Sequence, residues 1–166
     1  MDIQKKSSGW GRVLRRMIFL PAVLLILFVL GFMVLGRISQ TQPDNLGVID
    51  GKLTPLAPNP NGVSSQSLDA AHFIEPLRPP PGAVASMARL KKALRQLPRG
   101  TILQETDRYL HLEFRSPVFR FVDDAEFLLE DHVIQVRSAA RVGRSDLGVN
   151  RKRIEALRAG FNKPDP

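Results

Sequence analysis

Residues Tyr109–Ala140, YLHLEFRSPVFRFVDDAEFLLEDHVIQVRSAA, decide the fold. Leu110, Leu112 and Phe114 alternate with His111, Glu113 and Arg115, the period of a strand with one buried face. Ser116-Pro117 and Asp131-His132 read as turns. The stretch therefore predicts three successive strands: Tyr109–Arg115, Phe119–Leu129 and Val133–Ala140. If Ser116–Phe119 closes a two-residue loop, Phe114 lies opposite Phe121 and His111 opposite Asp124. If Glu130–Val133 closes the next loop, Phe127 lies opposite Val136 and Glu126 opposite Arg137. Both registers gather the apolar side chains on one face. A one-residue slip would turn every side chain over, so this agreement is an internal check.

Working outward, Thr101–Thr106 supplies a fourth strand, joined through an Asp107-Arg108 turn. Before it, Val84, Met87, Leu90, Lys91, Leu94 and Leu97 are at helical spacing, which predicts a helix over Ala83–Leu97, stopped by Pro98 and Gly100. Downstream, Asn150, Ile154, Leu157 and Phe161 predict a second helix over Val149–Phe161, with Asp146 or Asn150 as its cap. The expected fold is α+β, a four-stranded antiparallel sheet with two helices on one face, occupying residues 61–162.

Further out, residues 17–36 read MIFLPAVLLILFVLGFMVLG without a charge. At 1.5 Å per residue they span about 30 Å, the thickness of a bilayer's hydrocarbon core. The stretch is longer than a signal-peptide core and no small-residue cleavage pattern follows, so it reads as an uncleaved transmembrane helix. Lys5, Lys6, Arg12, Arg15 and Arg16 precede it and only Arg37 follows closely, which places residues 1–16 in the cytoplasm. The expected location is a bacterial inner membrane, crossed once, with the C-terminal domain periplasmic. Residues 37–60, polar and rich in Pro, Gly and Asn, read as a flexible linker.

The formal net charge is +8, but residues 1–42 hold six of the Lys/Arg and one acid, and the other 124 residues carry only +3. The excess sits beside the membrane segment rather than in the folded body, which argues against a nucleic-acid partner. The absence of cysteine excludes disulfides, thiol chemistry and Cys-based metal sites. His72, His111 and His132 lie far apart, so no metal site is expected, and no Walker loop, Rossmann fingerprint or nucleophile elbow asks for a cofactor.

Two blocks, FRFVDD at Phe119–Asp124 and VRSAARVGRSDLGVNRKR at Val136–Arg153, resemble the family called domain of unknown function 1499, as does the upstream Pro60-Asn61-Gly62-Val63-Ser64-Ser65. The resemblance covers roughly residues 55–160. The family often carries cysteine where this chain has Gly62, so that cysteine's role is not needed here. The resemblance implies envelope association and no particular activity.

His111, Glu113, Arg115, Arg120, Asp124, Glu126, Gln135 and Arg137 fall on the face away from the helices. They read as a solvated face of charge pairs, or as a docking face for a partner protein. Asp123 instead points to the apolar side, where a carboxylate needs donors. The loop after the last strand, from Arg141 to Arg151, is the expected source of those donors, and six basic residues from Arg137 to Arg153 against the lone Asp146 favour reading it also as a place for an anion. Asp123, Arg137, Arg141, Asp146, Asn150 and Arg151 are thus the candidate polar or anion site, with the pKa of Asp123 expected below its unfolded value. Two functions fit. One is a non-enzymatic envelope protein that binds a partner protein, a lipid headgroup or a small anion. The other is a membrane-tethered, hydrolase-like enzyme near Asp123 and the Arg141–Arg151 loop. No catalytic residue is assigned: Ser64-Ser65 would need His72 or His111 as a base.

Overall fold

The computed structural model describes residues 9–57, 61–79 and 86–163. In chain order the elements are helix α1 (Gly9–Ile38), a hairpin of β1 (Val48–Ile49) and β2 (Lys52–Leu53), strand β3 (Gly62–Ser64), helix α2 (Met87–Leu94), strands β4 (Gly100–Glu105), β5 (Tyr109–Arg115), β6 (Val122–Glu130) and β7 (Val133–Ala140), and helix α3 (Val149–Phe161). Helix α1 contains a stretch, Arg15–Ile38, long and apolar enough to cross a membrane, and its most apolar window is left uncovered by the rest of the chain. Pro21 lies inside this helix, which already runs from Gly9.

The main sheet is antiparallel, in the order β3-β7-β6-β5-β4. It has five strands, not four. Val63, in a stretch where no strand was expected, pairs with Ser138 and adds β3 to the outer edge of β7. A Cβ at Gly62 would meet the Ser138 carbonyl oxygen at 2.3 Å and the Ala139 Cβ at 2.6 Å. This close approach explains why the position holds glycine here. Beyond β3, Leu77 exchanges two 2.9 Å backbone hydrogen bonds with Ile134 and covers the rest of that edge. The opposite edge strand, β4, is exposed and irregular between Ile102 and Gln104, a break that discourages further strand pairing.

The β6–β7 register is as expected, with Glu126 opposite Arg137 and Phe127 opposite Val136. The β5–β6 register differs by two residues. His111 faces Glu126 and Phe114 faces Asp123. The loop is longer than a two-residue turn: Ser116 N–H bonds the Phe121 carbonyl at 2.9 Å, and Arg120 turns the chain at φ +57°. A shift of two preserves every side chain's face, so the core is unaffected.

That core joins Leu110, Leu112, Phe114, Phe127 and Val136 of the sheet to Leu90 and Leu94 of α2 and Ile154, Leu157 and Phe161 of α3. Helix α2 is shorter than the helix expected over Ala83–Leu97. Ser86 caps it, accepting the Arg89 N–H at 3.2 Å, and the helix runs only to Leu94, with Arg95 as its C-cap donating to the Lys91 carbonyl at 3.1 Å. Residues 83–85 lie outside the described residues. Arg89 ties the helices together, donating to the carbonyls of Phe161 at 2.8 Å and Lys163 at 2.5 Å.

Candidate functional site

Strand alternation places Tyr109, His111, Glu113, Asp124, Glu126 and Arg137 on the sheet face away from the helices. Charges on such a face were expected in water. They are buried instead: Glu126 is 0 % exposed, His111 1 %, Asp124 2 % and Arg137 3 %. The cover is the segment expected to be a free linker. Within residues 39–57, β1 and β2 form a hairpin, Leu53 packs with Tyr109 and Leu128 in a second small core, and backbone groups meet the charges directly. Gly47 N–H donates to Glu126 Oε1 at 2.6 Å, and Arg141 donates to the carbonyls of Gln40 at 3.1 Å and Ser39 at 3.4 Å.

Two clusters result. In the first, Glu126 Oε1 also accepts the Tyr109 hydroxyl at 2.7 Å, while Oε2 accepts Arg137 at 2.7 Å. Burial, reinforced by the Glu126 charge, pushes the Tyr109 phenol well above its ordinary range. In the second, Arg141 grips Asp124 with two parallel bonds of 2.7 and 2.8 Å and reaches Glu113 at 2.5 Å. His111 Nε2 lies 2.7 Å from the same Asp124, and Arg115 joins Glu113 to the side chain of Gln40. Burial pushes the Asp124 carboxyl up, but Arg141 and His111 outweigh it and the net displacement is downward. The same acids raise the Arg141 pKa despite its burial.

Asp123 lies on the other face, next to the helix core. Its donor is not in the segment 141–151 but one position along α3 from Lys152: Arg153 reaches it at 2.7 Å. Arg153 also donates to Asn150 Oδ1 at 2.5 Å and lies over the Phe114 ring. The site is only partly buried, and desolvation exceeds the attraction of Arg153, so the Asp123 pKa is raised. This corrects the expected direction. A single ion pair at a half-dry site does not offset the loss of water.

The six candidate residues therefore do not form one site. Arg137 and Arg141 share the second face, where both line a cleft of about 280 Å³ with Pro43, Asn45, Asn61 and Asp124. Asn150 is fully buried on the helix side, bonded to Ser138 Oγ at 2.6 Å. Asp146 caps α3 through the N–H groups of Gly148 and Asn150 at 3.0 and 2.8 Å, while Arg151 holds the Ala71 carbonyl at 2.9 Å. Of the lining residue Arg137, the Nε is buried with no hydrogen-bond partner among the described residues. Sequence reasoning missed His111, Glu113, Asp124 and Glu126 as members of a buried cluster. The available signal was the acid-to-base matching across strands, Glu126 opposite Arg137 above all.

The serine reading gains no support. His72 presents Nδ1 to the Gly62 carbonyl at 2.9 Å and Nε2 to Asp69 at 3.8 Å, while Ser64 Oγ accepts the Gln66 N–H. Among the described residues no hydroxyl bonds His111, and no three His, Asp or Glu side chains are grouped to hold a metal ion.

A family model described as "Protein of unknown function (DUF1499)" matches residues 52–161, and the chain belongs to that family. A comparison with curated proteins finds no match.

Proposed function

Because membership of that family brings no activity with it, we propose from the geometry that the protein is a non-enzymatic binding module. It is held by α1 in a bacterial cytoplasmic membrane, with its domain on the outer, periplasmic side. The cleft beside Arg137 and Arg141 receives an anionic group, a phosphate or carboxylate, from a lipid headgroup or a free small molecule. The observation that carries this reading is Arg137, which lines a cleft of about 280 Å³ and whose Nε is a buried donor with no partner among the described residues. A buried donor of this kind is costly unless a ligand acceptor meets it. The cleft also lies beside the end of the membrane helix, since Arg141 bonds the carbonyls of Ser39 and Gln40 directly after α1. The excess of basic residues before the span supports the orientation.

Binding is tested on the full chain in neutral detergent by titrating inorganic phosphate and, separately, micelles doped with phosphatidylglycerol. Arg137→Lys keeps a charge for Glu126 but loses the guanidinium fork. Saturable binding that Arg137→Lys abolishes, with its melting temperature retained, supports the proposal. Saturation by phosphate alone identifies a free anion, and by doped micelles alone a headgroup. Equal binding by the lysine variant, or none by the native chain, overturns it. The orientation is tested with a reporter fused after Pro166: activity confined to a cytoplasm-only reporter refutes the periplasmic placement.

A further inference from the structure

The turn between β5 and β6, SPVFRF at Ser116–Phe121, takes no part in the buried charge clusters and carries Val118 at 75 % exposure. It does not stand free of α1. Phe119 and Phe121 place their rings 5.1 and 6.0 Å from that of Phe32, and the Phe119 backbone packs so closely on the helix that a Cβ at Gly36 would meet its carbonyl oxygen at 2.1 Å. Gln40 completes the contact, donating to the Arg120 carbonyl at 2.8 Å. Phe32 and Gly36 belong to the apolar stretch whose outer end is marked by Arg37. Phe32 lies five residues before that arginine, about 7.5 Å along the helix axis at 1.5 Å per residue.

We propose that this hairpin tip is a second membrane contact. Val118, Phe119 and Phe121 seat beside α1 in the interfacial layer of the leaflet that Arg37 faces, and the occupant of this apolar surface is phospholipid. Three observations carry it. The tip is continuous with the candidate span, so a bilayer crossed by α1 meets it without any rearrangement. Its backbone suits an apolar boundary, because Ser116 N–H, Phe121 N–H and the Arg120 carbonyl are all bonded within the protein. Its apolar residues are flanked by the exposed Arg37 and Arg120, placed to reach phosphates while the rings go deeper. The contact rests on the anchor reading of α1 and adds that the domain sits end-on to the membrane, with the β6–β7 turn at the far end of strands roughly 30 Å long.

The native chain has no cysteine, so single labels can be placed cleanly. Val118→Cys and, as the distal reference, His132→Cys carry an environment-sensitive fluorophore in the full chain, reconstituted into phosphatidylethanolamine–phosphatidylglycerol vesicles. The expected result is blue-shifted emission at position 118, quenched by lipids bearing a nitroxide high on the acyl chain and shielded from aqueous iodide. Position 132 should show the reverse. Iodide quenching at 118 equal to that at 132, in protein held by the vesicles, overturns the hairpin contact and spares the anchor. Protein not retained by the vesicles overturns both. Shielding at 118 that disappears on dilution into excess lipid assigns the surface to a second copy and also overturns the proposal.

Discussion

Arg141→Met removes the cation on which two buried acids converge, and its effect follows from the geometry. The guanidinium forms a two-bond fork with Asp124 and a further bond to Glu113, and the three side chains are 2 %, 2 % and 6 % exposed. Breaking a buried pair by deleting one partner costs about 3–5 kcal/mol, because the other charge is left dry. Here Glu113 keeps Arg115 and Asp124 keeps His111, so the expected loss at pH 7 lies near the lower end, about 3 kcal/mol. The pH dependence makes the attribution specific. Asp124 has a folded pKa below its unfolded value, so its contribution is present above the unfolded value and is lost as pH falls through the folded one. In the variant the depression is relieved, the carboxyl protonates earlier, and the deficit against the native chain narrows as pH falls below the ordinary value of 3.8 towards the folded one. Urea titrations of the full chain in neutral detergent, followed by circular dichroism at pH 7 and near pH 3, measure both quantities. Arg141→Met/Asp124→Asn should recover part of the loss. A deficit under about 1 kcal/mol, or one equal at the two pH values, would refute the buried fork, since that is how an exposed pair behaves.

The remaining expectations use the same titrations and simple spectroscopy. Asp123→Asn should cost no more than about 1 kcal/mol at pH 7, because an environment that raises a carboxyl's pKa already disfavours the charge that asparagine lacks. By the same sign, the Asp123 contribution is fully present below its unfolded pKa and fades as pH rises through the folded one. A carboxyl-carbon NMR titration with a midpoint below 3.8 would contradict this. Tyr109 is the sole tyrosine, so absorbance at alkaline pH reads it alone. With its pKa raised, it should ionise only as the protein unfolds, and a reversible transition near 10 in folded protein would show the hydroxyl free. Asn150→Ala should cost about 2–3 kcal/mol by stranding the Ser138 hydroxyl and one Arg153 donor, and an unchanged urea midpoint would count against that role.

Periodicity made the sheet legible where the face is apolar. Leu110, Leu112 and Phe114 announced β5, and the two-residue register error left them facing α2 and α3 all the same. Strand β3 was not legible. Gly62-Val63-Ser64 is too short to show a period, and its pairing with β7 depends on a close backbone approach that no pattern encodes. Asp123 was correctly placed on the helix side, but its partner was misassigned. Arg141 was the nearer donor in sequence, yet it follows the last strand onto the opposite face, whereas Arg153 returns to Asp123 from the second turn of α3.

The largest misreading concerned the second face, and its cause is general. Alternating charge on a strand implies solvent only when the charges lack partners of their own. Here Glu126 meets Arg137, and Asp124 and Glu113 meet Arg141, so the face carries little unbalanced charge and can be covered. A cover for such a surface need not be apolar. It needs N–H and C=O groups at the right places, and the chain after α1 supplies them from its backbone: Gly47 to Glu126, Ser39 and Gln40 to Arg141. That is why residues 39–57 show no hydrophobic period and still close over the sheet. It also means that the segment joining the apolar helix to the domain is held by the charge clusters themselves. A change of charge at Asp124 or Glu126 therefore acts on the attachment of α1 as directly as on the stability of the sheet.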